Sequence, residues 1–127
     1  MNINGREINF MCNVLASIEI ANMCPEGKLD NVGALFEGTY EEIAHKNAMF
    51  MIALHRGYIE AKKYENPNFE DKILTEEELN LLEPHTYLEL QQEAYRAFSG
   101  DTKREITTEP IKTKGKKTSD TRAKKSN

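Results

Sequence analysis

Hydrophobic and polar positions alternate at the start of the chain and recur at helical spacing afterwards. Ile8 and Phe10 alternate with Glu7 and Asn9, the period of a half-buried strand. Just before them, Ile3-Asn4-Gly5-Arg6 carries Asn-Gly, two residues that accept the positive φ of a tight turn, so a small N-terminal β-hairpin is predicted. From Val14 to Met23, Val14, Leu15, Ile18 and Ala21 fall on one helical face, with Asn13 as cap and Pro25 and Gly27 ending the helix. A second short helix is predicted from Val32 to Glu37, behind Asp30 or Asn31 and before Gly38.

The longest helix should begin at Thr39, where Thr39 and Glu42 form a capping box, and run to about Tyr64, before Asn66-Pro67. At ~100° per residue, Tyr40, Ile43, Asn47, Phe50, Met51, Leu54 and Tyr58 share a face. Ala44, Ala48, Ile52 and Ile59 widen that face well beyond a stripe, so this helix should touch neighbours on two sides. Residues 65–74 read as a loop. Thr75 and Glu78 form a second capping box opening a short helix through Leu79 and Leu82. Pro84 suits the first turn of a last helix, in which Tyr87, Leu90, Ala94 and Phe98 line up before Gly100 as terminator. Beyond Gly100 apolar residues are few, which predicts a disordered tail over 101–127, with a short strand at 105–108 as the lesser alternative. The fold class is therefore mainly α: a small helical domain over 1–100 with an N-terminal β-hairpin, then the tail.

Charge divides the chain at the same place. Residues 1–100 carry 8 Lys/Arg against 17 Asp/Glu, a net −9, whereas 101–127 carry 9 against 4, a net +5. An acidic body lacks the clustered cations that displace counterions from a phosphate backbone, so only the tail could bind nucleic acid. Cys12 and Cys24 are too few for a cysteine-based zinc site; each reads as a small reduced apolar residue, with a disulfide as the alternative. The absence of a charged start followed by a long apolar run predicts a cytoplasmic protein that is neither exported nor membrane-spanning.

Motifs for chemistry are lacking. His45, His55 and His85 do not sit at ligand spacing and read as surface or partly buried polar residues. No glycine-rich phosphate loop and no nucleophile turn occurs, and Glu76 to Glu78 are accounted for by capping and the helix dipole. The expectation is a non-enzymatic protein without metal or cofactor.

Three stretches, Ile3-Asn4-Gly5-Arg6-Glu7, Met23-Cys24-Pro25-Glu26-Gly27 and Ile73-Leu74-Thr75-Glu76-Glu77-Glu78-Leu79, together resemble the tail assembly chaperones of long-tailed phages and prophages of Gram-positive bacteria. The resemblance covers most of residues 1–111, including Gly57-Tyr58-Ile59-Glu60. It implies a protein that coats the tape measure protein during tail assembly, helps recruit tail tube subunits and is absent from the finished particle. Such chaperones are often made in two lengths by ribosomal frameshifting, and the pairs Lys116-Lys117 and Lys124-Lys125 are compatible with A-rich slippage runs without deciding whether a longer form exists.

A helix with a wide apolar face could shield a long helical partner by helix-in-groove contact. The expected contacts are Met49, Phe50, Met51, Leu54 and Tyr58, with Met49 exposed opposite the main face and the methionines suited to varied apolar partners. Plain core packing is the competing account of that face. Self-association stays open. A small nucleic-acid-binding or regulatory protein using the basic tail is the alternative function, and a structural completion protein retained in the virion is the third.

Overall fold

The computed structural model describes residues 1–107. Strands β1 (Asn2–Ile3) and β2 (Arg6–Glu7) form the antiparallel hairpin, with Ile3 opposite Arg6. Asn4 and Gly5 take positive φ of 52° and 85°, the twist that Asn-Gly accommodates at little cost. The alternation at Ile8 and Phe10 does not lengthen the strand, since β2 stops at Glu7, and the Ile8 N–H donates to the Met1 carbonyl at 2.9 Å. The hairpin is tied to the body by Arg6, whose guanidinium bonds the Glu78 carboxylate and the Lys72 carbonyl.

Helix α1 (Val14–Met23) starts at the predicted cap, Asn13, whose side-chain oxygen accepts from the Ala16 N–H at 3.0 Å. Its buried residues are Ala16 and Ile20, and the predicted face is turned outward: Val14 is 75% and Ile18 55% exposed, with Leu15 also exposed. The reason is a close approach to the long helix. The amide nitrogen of Asn13 donates to the Gly57 carbonyl at 2.9 Å, and the Met11 N–H donates to the Leu54 carbonyl at 3.0 Å. These bonds fix the rotation of α1 so that the small Ala16, not the larger Val14 or Ile18, meets Gly57.

The short helix predicted over 32–37 is instead 3₁₀ backbone from Leu29 to Phe36 with a break at Asn31. No side chain caps it; the Asn31 amide donates back to the Pro25 carbonyl at 2.8 Å. Gly38, at φ 122°, ends the segment.

Helix α2 (Tyr40–Glu65) is the axis of the fold, and both halves of the Thr39/Glu42 capping box are formed. It packs against α1, the 3₁₀ segment, and two later helices, α3 (Glu76–Asn80) and α4 (Pro84–Thr107). From Asn47 to His55 only Met49 is not fully buried. Helices α2 and α3 are joined by the predicted loop, and the Thr75/Glu78 box is also complete. The ring of Phe50 lies edge-on to Phe36 at 5.9 Å and Phe98 at 5.5 Å, which locks α2, the 3₁₀ segment and α4 together.

Gly100 does not end α4. It keeps an αR backbone rather than the positive φ of a terminal glycine, and the helix runs on to Thr107, so 105–107 are helix and not strand. An interior glycine costs only about 1 kcal/mol, and the next proline, Pro110, is ten residues further on. The rest of the tail expected to be disordered, and both lysine pairs, lie outside the described residues.

Candidate partner groove

The expected contact surface on α2 does not exist as a surface. Phe50, Met51 and Leu54 are 0% exposed and belong to the core. Met49, expected to face solvent, is half-buried against that core, and the side of α2 bearing Arg56 is covered by α1, where Arg56 Nη1 donates to both Glu19 carboxylate oxygens at 2.7 and 2.8 Å. Tyr58 is half-buried edge-on to Phe69 at 6.4 Å, with Lys62 Nζ 5.8 Å from its ring centroid. The five residues are thus distributed between the core and two of its margins. The width of the apolar arc reflects packing partners within the chain.

One end of the arc remains open. Between the first turns of α2, α3 with the turn after it, and the first turns of α4 lies a groove of about 500 Å³. Tyr40, Ile43 and Ala44 form one wall, Leu79 and Leu82 the second, and Tyr87 and Leu88 the third. Tyr40 is 84% and Leu88 53% exposed at its edge. Pro84 starts α4 immediately after Leu82 and Glu83, so a short turn joins the two helices that wall the groove with α2.

At the floor of the groove, Asn47, Gln91 and Tyr87 are held by hydrogen bonds within the fold. The Asn47 side chain, fully buried at the floor, donates to the carbonyls of Leu35 and Ile43, both at 3.0 Å, and accepts from the Gln91 amide. The Tyr87 hydroxyl donates to the Ala44 carbonyl at 3.4 Å. Burial raises the pKa of Tyr87 above the ordinary phenol value, and nearby Tyr40 and Glu76 add to the effect. Such a site offers apolar contact, not acid–base chemistry, to whatever enters it.

Among the described residues no group of three or more His, Cys, Asp or Glu is placed to hold a metal ion, and no helix is long and apolar enough to cross a membrane. Cys12 and Cys24 are not joined in a disulfide; Cys12 Sγ lies 3.5 Å from Ser17 Oγ, and the buried Cys24 donates to the Ile20 carbonyl at 3.2 Å. His45 and His85 are exposed, His45 Nδ1 lying 2.9 Å from a Glu76 oxygen.

His55 departs from the surface reading: it is fully buried, and its Nδ1 accepts from the Leu74 N–H at 3.0 Å. The signal was present in the sequence, because at ~100° per residue His55 falls between Ala44 and Ala48 inside the widened arc. Tyr40 and Ile43 also lay on the recognised face, whereas the contribution of Leu82, Tyr87 and Leu88 depends on how three helices meet. No family model, curated protein or solved structure matches the chain.

Proposed function

We propose that this protein is a tail assembly chaperone that binds and solubilises the phage tape measure protein and helps recruit tail tube subunits, acting without catalysis. The observation that carries the reading is the open apolar groove at the N-terminal end of α2, edged by exposed Tyr40 and Leu88. A tape measure protein is a long helical chain with apolar faces, and a groove walled by helices is the shape that receives one face of such a helix. The groove replaces the Met49–Tyr58 stretch as the expected contact.

Co-expression with the tape measure protein tests the reading. The chain should hold that protein in the soluble fraction, and a Tyr40→Ser/Leu88→Ser variant should fold yet fail to do so. Solubility retained in full by the folded variant would show that the groove is not the contact. Insolubility with the unaltered chain would remove the chaperone function itself.

A further inference from the structure

The segments that build the groove are unusually one-sided in charge. Residues 39–47 and 75–92 together carry seven glutamates against a single lysine and no arginine. That lysine, Lys46, is turned to the 3₁₀ segment, where Nζ donates to the carbonyls of Ala34 at 3.2 Å and Glu37 at 3.0 Å. Glu42 and Glu78 are engaged in the capping boxes and Glu76 with His45. Glu41 and Glu83 are exposed beside the lining residues Tyr40 and Pro84 at the starts of α2 and α4, Glu83 Oε1 lying 3.6 Å from His85 Nδ1, whereas Glu89 falls on the side of α4 away from the lining residues Pro84, Tyr87 and Leu88.

We propose that the groove selects a basic amphipathic helix, whose apolar side chains at i, i+3, i+4 and i+7 enter between α2, α3 and α4 while flanking lysines or arginines meet the surrounding glutamates. This rests on the chaperone reading for the protein that carries the helix, and specifies which of its segments would dock. An apolar groove alone would accept any amphipathic helix; like charges brought against the glutamates are penalised, so the rim supplies the discrimination.

Fluorescence anisotropy of the full chain with labelled synthetic helices of about 18 residues, long enough to be helical, tests the inference. One has leucines at helical spacing and lysines elsewhere, the second replaces each lysine by glutamate, and the third scrambles the order of the first. The lysine helix should bind about tenfold or more tightly than the glutamate helix, and added salt should weaken it. Tyr40→Ser/Leu88→Ser should lose most of that binding with an unchanged circular dichroism spectrum, and Glu41→Gln/Glu83→Gln should narrow the lysine preference.

Equal binding of the lysine helix and either control overturns the proposal, as does unchanged binding in the serine variant. Stronger competition by a synthetic peptide of residues 108–127 than by unlabelled lysine helix also overturns it, because the chain's own basic segment would then be the better occupant. If the lysine helix binds as described but the tape measure protein stays insoluble, the chaperone reading fails and this one stands. If the tape measure protein is held in solution by a chain that does not discriminate between the helices, the reverse is true.

Discussion

At Gly57 the long helix meets the segment leading into α1 with no room for a side chain. A methyl group there would lie 2.7 Å from the Met11 carbonyl oxygen, 2.7 Å from Asn13 Oδ1 and 3.1 Å from Ala16 Cβ. Alanine would gain about 1 kcal/mol of helix propensity, but overpacking against backbone should cost about 1–3 kcal/mol, so Gly57→Ala should be net destabilising or at best neutral. Urea unfolding measures it, and a clear stabilisation would mean the two helices can move apart freely. Sequence showed a glycine inside a helical pattern, a weak point; only the partner surface shows why it is there. Two residues earlier, His55 gives the fold a pH dependence. Burial, its largest cause, lowers the histidine pKa below the ordinary 6.5; Arg6 adds to this, and Asp71 and Glu78 oppose it. With Nδ1 accepting from Leu74, the neutral ring carries its proton on Nε2, which has no hydrogen-bond partner among the described residues. The unfolded chain takes up a proton below about pH 6.5 that the folded chain resists, so this contribution to stability falls as pH drops from there to the lowered folded value. His55→Asn, whose side-chain oxygen can still accept from Leu74, should flatten that part of the urea-midpoint profile. An identical slope in the variant would assign the effect to other groups.

Elements were legible where local chemistry specified them and illegible where rotation or shape decided. The Asn-Gly turn, both capping boxes and the Asn13 cap need only short-range bonds, and all are formed. For α1 the sequence offers apolar residues on more than one side, and periodicity cannot choose among them. The choice came from Asn13 and Gly57, residues whose role is visible only once α1 and α2 touch. This gives a test that separates the two faces of one helix. Val14→Lys and Ile18→Glu should change stability by less than about 0.5 kcal/mol each, as for other exposed positions. Ile20→Ala, at a fully buried site, should cost about 2–5 kcal/mol. Thermal unfolding of the three variants decides it; a large loss from Val14→Lys or Ile18→Glu would restore the face that periodicity favoured. The same limit explains Gly100, since a glycine signals a possible helix end without requiring one.

Across the whole molecule, α2 is surrounded along most of its length, and that enclosure accounts for the apolar arc that sequence periodicity attributes to a partner. Contact with α1, α3, α4 and the 3₁₀ segment takes in most of α2, while an apolar groove stays open against its first turns. Mean apolar character along a helix therefore could not distinguish core from docking surface; the distinction lies in the exposure of Tyr40 and Leu88 against that of Phe50. The two roles should come apart experimentally. Phe50→Ala removes the ring that joins Phe36 to Phe98 and should cost about 3–5 kcal/mol, a large share of the roughly 5–15 kcal/mol that holds a small domain. It should lower Tm steeply and weaken binding only in proportion to the unfolded fraction. Tyr40→Ser/Leu88→Ser should leave Tm within a few degrees and still abolish binding of the lysine helix. Differential scanning calorimetry paired with anisotropy reads both quantities on each variant. A Phe50→Ala protein that melts like the unaltered chain yet no longer binds would place the contact at Phe50 after all, and the groove would then be a feature of packing alone.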